Sequence, residues 1–327
     1  MIIYNNIISL ENLYEAWSEF VRGKKHKEDV ALFSLNLIEN IYLLHLDLKD
    51  RTYIHGEYKH FVICDPKRRD IHKACVRDRL LHHAIYRVLY PYFDTLFIHD
   101  SYSCRNDKGT HRAMNRFRDF AGKVSKNHTR TCWVLKCDIR KFFASIDHGI
   151  LIRILEERIE NKEIMWLFNQ VISSFHSGKE KVGLPLGNLT SQLLVNIYMN
   201  EFDQYMKRGC QVKYYIRYAD DFVILSEDRR YVEELSQKIE DFLTLNLKLS
   251  LHPNKVSITT FASGIDFLGF VHFPHHRVLR MSTKRRMIRR VSERNVESYK
   301  GLLSHGDTYG LKEVIESIIL QKERVSW

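Results

Sequence analysis

Residues Val212–Leu225 read VKYYIRYADDFVIL, with two aspartates, Asp220 and Asp221, in the middle of a stretch rich in apolar and aromatic residues. Val212, Tyr214, Ile216 and Tyr218 alternate with polar neighbours, the period of a half-buried strand. Phe222–Leu225 is apolar again, so the stretch predicts a β-hairpin that turns at the carboxylates. An Asp-Asp turn is ordinarily just a solvated one. Here hydrophobic strands flank it, and carboxylates held close together beside such strands repel each other and resist ionisation. A divalent cation relieves that repulsion, and Mg2+ prefers hard carboxylate oxygens while keeping waters for substrate phosphates. Adjacent strand residues face opposite sides, so Asp220 and Asp221 are not equivalent ligands and a third carboxylate is expected. Asp138 supplies it, at the end of the apolar strand Cys132–Cys137 in WVLKCDIRKFFASIDH. Three aspartates from two strands suit a site for two Mg2+ ions acting on phosphates.

Outward from this centre, residues 148–176 read as helices, and Leu189–Met206 as another, preceded by Gly183 and Gly187. Residues 231–247 form an amphipathic helix, and short strands are expected near 256–261, 265–273 and 277–281. The middle of the chain is therefore β, α, β-hairpin, α, β, an α+β layout with helices on one face of a small antiparallel sheet. Upstream, residues 31–48 carry the apolar pattern of one buried helix, and 52–64 look extended up to a turn at Asp65-Pro66. Val76–Val88 places its apolar residues on one helical face, and Pro91 is expected to interrupt that helix. His82 and His83 are expected at the core edge and the surface.

The 327 residues carry a formal net charge of +11, with 44% hydrophobic and 12% aromatic residues. That composition is globular and long enough for a real core. Basic clusters at Arg22–Lys27, Lys67–Arg69, Lys136–Lys141 and Lys284–Arg290, with aromatic residues as stacking partners, favour a nucleic-acid partner. No apolar run is long enough to span a bilayer, so no membrane partner is expected. The N-terminus lacks a basic n-region and a small-residue cleavage site, so no signal peptide is expected. The six cysteines form no CxxC pair and read as reduced thiols of a cytoplasmic protein.

The ordered motifs resemble those of reverse transcriptases of the prokaryotic class that includes group II intron enzymes. Cys137-Asp138-Ile139-Arg140-Lys141-Phe142-Phe143 is similar to the first palm motif, and Arg217 to Asp221 to the YxDD box. Gly183-Leu184-Pro185-Leu186-Gly187-Asn188-Leu189-Thr190-Ser191-Gln192 resembles the motif before the nucleotide-binding helix. Asp65-Pro66-Lys67 through Val76-Arg77-Asp78-Arg79, with Ser101-Tyr102-Ser103-Cys104-Arg105, resembles the fingers motifs, and Phe267-Leu268-Gly269-Phe270 the primer-grip region. The resemblance covers about residues 60–275. It implies a right-hand polymerase: an N-terminal helical extension and fingers over 1–131, a palm over 132–278 with fingers-side helices near 150–182, and a short basic helical thumb over 279–327. Most of the family carries Gln-Gly and then Ser-Pro where this chain has Leu186-Gly187 and Ser191-Gln192. That departure, with Asp100-Ser101-Tyr102 and Lys108-Gly109-Thr110-His111, resembles the enzymes of diversity-generating retroelements. Those enzymes make cDNA with errors at template adenines and typically work with a small basic helical accessory oligomer. A bacterial, archaeal or phage gene is implied.

The resemblance assigns Asp138, Asp220 and Asp221 to the metals, with the Ile139 carbonyl as an extra ligand. Phe143 stands where the family places an aromatic sugar gate that selects deoxynucleotides. Lys67 and Arg69 would hold the triphosphate, since ammonium and guanidinium groups suit phosphate oxygens, with Arg68 a competing choice. Leu186, Gly187 and Gln192 would lie along the nucleotide. Lys255, in His252-Pro253-Asn254-Lys255, would protonate departing pyrophosphate. Leu268 and Gly269 would support the primer, and Lys284, Arg285, Arg286 and Arg289 would track the phosphates of an RNA/DNA hybrid. The implied substrates are a template RNA and deoxynucleoside triphosphates. Competing readings are a retron, abortive-infection or group II intron-like enzyme, or an idle RNA-binding scaffold. The residues after Phe270 read Val-His-Phe, without the Val-Thr-Gly of retrons, and a pure binder gains nothing from three repelling carboxylates.

Overall fold

The computed structural model describes residues 3–65 and 67–325. Pro66 of the expected turn, and residues 1–2 and 326–327 of the expected end domains, lie outside them. The chain forms two compact units, each assembled from separate segments. One comprises Met1–Cys104, Ile139–Gln211 and Glu240–His252, the other Arg105–Asp138, Val212–Ile239 and Pro253–Trp327.

The first unit is mainly helical. Helix Leu10–Phe20 starts at Ser9, whose hydroxyl accepts the Asn12 N–H, and buries Leu13, Trp17 and Phe20 against helix Val76–Asp94. The single buried helix expected over 31–48 is two, Glu28–Leu35 and Leu37–Lys49, broken where Asn36 leaves helical geometry. Only Val30, Ile41, Leu44 and Leu48 are fully buried, with Phe33 half-buried and stacked on Trp17. Leu35 and Ile38 are 78% and 74% exposed, so the dense apolar pattern wraps further round than the core can use. Pro91 does not interrupt its helix, which continues to Asp94. Proline there is exposed and deprives only the last turn of one hydrogen bond, while Tyr90 and Phe93 on either side are buried. His82 is not at an edge but buried at 1% exposure, stacked on His55. β1 (Lys59–Ile63) and β2 (Arg69–Lys73) form a two-stranded antiparallel ribbon. Helix Leu189–Gln204 is buried nearly all round, packs on Val76–Asp94 and ends in a π-helical turn, Tyr205–Gly209.

The second unit holds a four-stranded antiparallel sheet of β3 (Trp133–Asp138), β4 (Tyr215–Tyr218), β5 (Asp221–Ser226) and β6 (Ser257–Thr260), in the order β4-β5-β3-β6. Helix Thr110–Val124 lays Ala113, Met114, Phe117, Phe120, Ala121 and Val124, one helical face, onto this unit and touches β4 and β5. A second sheet follows: β7 (Ile265–Phe267), β8 (Phe270–His272) and β9 (Arg277–Leu279). The single strand expected over 265–273 is thus a hairpin, turning at Leu268-Gly269 with φ of +52° and +91°. Helices Met281–Arg290, Val296–Leu303 and Tyr309–Val325 close the chain around Met287, Val291, Leu303, Leu311 and Ile315. The six cysteines are free thiols. No described helix is long and apolar enough to cross a membrane.

Candidate active site

The hairpin turn places the carboxylates. β4 and β5 pair from Tyr215↔Ile224 to Tyr218↔Asp221, leaving Ala219 and Asp220 as the turn. Ala219 takes a left-handed φ of +55°, a conformation that costs a Cβ-bearing residue about 1–2 kcal/mol. Its carbonyl accepts a 3.1 Å hydrogen bond from Arg217 Nη1, and Arg217 is fully buried. Buried strands and this internal clamp hold the turn in shape. β5 then runs antiparallel to β3 with Asp138 directly opposite Asp221, so the two carboxylates share one face of the sheet. Lys136, two residues back on β3, shares that face.

Charge on this face is unevenly balanced. Burial pushes the Asp221 carboxyl up to about 6; the negative charges of Asp220 and Asp138 act in the same direction, against Lys136 and, more weakly, Lys255. Asp138 is 7% exposed and accepts a 2.7 Å bond from Lys255 Nζ. A hard divalent cation fits this donor set: three carboxylates with surplus negative charge, one already holding an ammonium group. Among the described residues no three His, Cys, Asp or Glu side chains draw close enough to hold a metal ion by themselves. Oxygens from outside the chain would have to complete the shell, as Mg2+ sites usually require.

The second unit also contains Leu268 and Gly269, at the β7–β8 turn, and the basic helix Met281–Arg290. In that helix Met287 is buried while Lys284, Arg285 and Arg289 are exposed and Arg286 is half-buried. Met287, with Ile288 packed partly on the same core, anchors the helix, and Lys284, Arg285 and Arg289 lie on its exposed side.

The other expected residues belong to the first unit. Ile139 is buried and bridges to Leu251. Phe143 is half-buried beside fully buried Phe142, their rings edge to face, and its carbonyl accepts from the Leu184 N–H. Leu186, half-buried, accepts from the His72 N–H at 3.1 Å. Gly187, at φ +111°, lies so close to β2 that a Cβ would sit 3.0 Å from Ile71 Cγ2. Asn188 completes the clasp, donating to the His72 carbonyl at 2.9 Å. Thus Leu186–Asn188 grips β2, the strand that begins at Arg69. Lys67 and Arg69 are exposed, and Gln192 is half-buried on its helix. Sequence reasoning missed Asn188, Arg217 and Lys136. The signal for Lys136 was its even spacing from Asp138 on a strand, which puts both side chains on one face.

Residues 63–272 match the family model described as reverse transcriptase (RNA-dependent DNA polymerase). Protein YkfC of Escherichia coli (strain K12) is 27% identical over 263 residues, 69% of this chain and 67% of that protein. The group II intron-encoded protein LtrA of Lactococcus lactis subsp. cremoris is 23% identical over 306 residues, and the match spans 71% of this chain but only 49% of LtrA. The structure of apo telomerase from Candida tropicalis superposes with a TM-score of 0.51 at 12% identity, over 68% of this chain and 48% of that one, a likeness of fold alone.

Proposed function

Because this chain belongs to the reverse transcriptase family, we propose that it copies an RNA template into DNA at the Asp138–Asp221 face, using two Mg2+ ions. The observation that carries this reading is the cross-strand pair itself: two carboxylates held opposite each other, with a third at the adjoining turn. Polymerases of this family generally use divalent metal ions. Bound there by Asp138, Asp220 and Asp221, with the Ile139 carbonyl, Mg2+ would supply activation of a primer 3′-hydroxyl and charge neutralisation on the triphosphate.

The chain's own residues do the rest. Lys255, already on Asp138, keeps an ammonium proton within reach of the phosphate site and gives it to the departing pyrophosphate. Lys67 and Arg69 take the triphosphate oxygens, and Gly187 and Gln192 line the nucleotide. The half-buried Phe143 ring excludes a ribose 2′-hydroxyl; full burial like that of Phe142 would have marked it as core. Leu268 and Gly269 support the primer backbone, and Lys284, Arg285, Arg286 and Arg289 follow hybrid phosphates without reading bases. In these terms residues 1–131 are extension and fingers, 132–278 palm, and 279–327 thumb.

Leu186-Gly187 and Ser191-Gln192 support the diversity-generating subtype: error-prone copying of template adenines for mutagenic retrohoming, in the cytoplasm, with a small basic oligomeric accessory protein. The decisive experiment is primer extension on an RNA template. The parent extends with Mg2+ and stops on chelation; Asp220→Ala loses extension while RNA binding is retained. Extension by Asp220→Ala near the parental rate refutes the assignment.

A further inference from the structure

β3 is only partly covered by its outer neighbour. β6 pairs with Trp133 to Lys136 and stops there, short of Asp138. A side chain takes over where the ladder ends. Lys136 Nζ donates to the main-chain carbonyl of Asp266, in the middle of β7, at 2.5 Å. The carboxylate of Asp266 is in turn held by Arg280, through Nε at 2.8 Å and through Nη2. Arg280 immediately precedes the basic helix Met281–Arg290, and its own N–H donates to the Gly269 carbonyl at 3.0 Å. Asp266 therefore joins three things within one unit: the carboxylate-bearing strand, the Leu268–Gly269 turn and the start of the basic helix. Leu268 also packs partly on the core of the closing helices.

A lysine spent on a neutral carbonyl beside two carboxylates is a poor ion pair but a good strut. Arg280 directs two donors, Nε and Nη2, onto the single carboxylate oxygen Oδ1 of Asp266, a charge-assisted contact that holds the guanidinium to one atom of β7. Both ends of the linkage meet elements given a role above: β3 carries Asp138, and the turn carries Leu268 and Gly269.

We propose that Lys136, Asp266 and Arg280 are positioning residues for nucleotidyl transfer, holding the Leu268–Gly269 turn at a fixed offset from Asp138 and Asp221 so that the primer terminus on the turn meets the carboxylates. The proposal rests on the polymerase reading above. Misplacement of reacting groups by about 1 Å can cost 10²-fold in rate without touching ground-state affinity.

The test uses the full chain and a defined RNA template with a DNA primer. Arg280→Met should lower kcat for single-nucleotide addition by roughly tenfold or more. Template–primer Kd and KM for the nucleotide should stay within about threefold, the signature of an interaction lost only in the transition state. Arg280→Lys, which still pairs with Asp266, should recover part of kcat, and Arg280→Met combined with Asp266→Asn should lose no more than Arg280→Met alone. Thermal melts run in parallel; if Arg280→Met melts early, Asp266→Asn, of nearly the same shape, decides on the same readouts. Unchanged kcat, a loss matched by equal loss of template–primer affinity or of folding, or multiplying losses in the double variant each overturn the proposal. A parent that extends normally beside unaffected variants sinks the linkage alone; a parent that cannot extend any primer with Mg2+ sinks the polymerase reading and the linkage with it.

Discussion

Replacing Asp221 by Asn should make the metal-free protein more stable while abolishing its activity. The magnitude follows from the raised carboxyl. Moving Asp221 from an ordinary 3.8 to about 6 costs its ionised form about 3 kcal/mol on folding. The sign is that of a group whose folded pKa is raised: the folded state binds the proton more tightly, so the contribution is fully present below about pH 4 and lost as pH rises through about 6. Above pH 7 the parent carries the whole cost and Asp221→Asn carries none. Urea unfolding of both proteins in chelator, from pH 4 to 8, should show a gap near zero at the acid end that opens between pH 4 and 7 and levels at up to about 3 kcal/mol. Added Mg2+ should then stabilise the parent by mass action and leave Asp221→Asn unmoved. Equal stabilities at pH 8, or a gap that widens on acidification, would refute the idea that this carboxylate is held ionised at a cost.

Phe143→Ala should lower the preference for deoxynucleotides over ribonucleotides by roughly tenfold, the equivalent of ~1.4 kcal/mol of relieved clash; competition assays with paired nucleotides check it, and an unchanged ratio returns Phe143 to the core. Neutralising Arg285, Arg286 and Arg289 together should weaken template–primer binding similarly for all sequences and flatten its salt dependence, measured by titrations at several ionic strengths. Leu186→Gln, which restores a side chain able to donate and accept, should reduce errors at template adenine by about fivefold, the ~1 kcal/mol of one added polar contact; sequencing products from one RNA template tests it, and coincident error spectra reject it.

The hairpin was readable because a turn and an acidic pair sit between apolar residues, each a local property; the alternation expected from Val212 does not hold, since β4 starts at Tyr215 and buries Tyr215, Ile216 and Arg217 in succession, covered on both faces. The opposed register of Asp138 and Asp221 was only half readable, since two strands distant in sequence can be expected to neighbour each other but not aligned residue for residue. Local signals misled where tertiary context prevailed. Phe267 and Phe270 suggested a continued strand because leucine rarely takes the left-handed conformation that Leu268 adopts. Residues 31–48 are apolar all round, and periodicity cannot say which side a protein leaves open. The Lys136–Asp266–Arg280 linkage joins residues far apart in sequence through one backbone carbonyl, a partner with no side-chain signature.

The strand order β4-β5-β3-β6 has a consequence during synthesis. β3 lies second from one edge of its sheet, yet it emerges from the ribosome well before any strand that pairs with it. Until β5 and then β6 follow, Val134, Leu135 and Cys137 belong to an unpartnered strand with free backbone donors and acceptors. Non-local pairing of this kind is slow and leaves the nascent chain open to association with other chains. The sheet that carries the acidic pair is therefore the segment for which a chaperone would matter most, and chains interrupted before Thr260 should be recovered as aggregates.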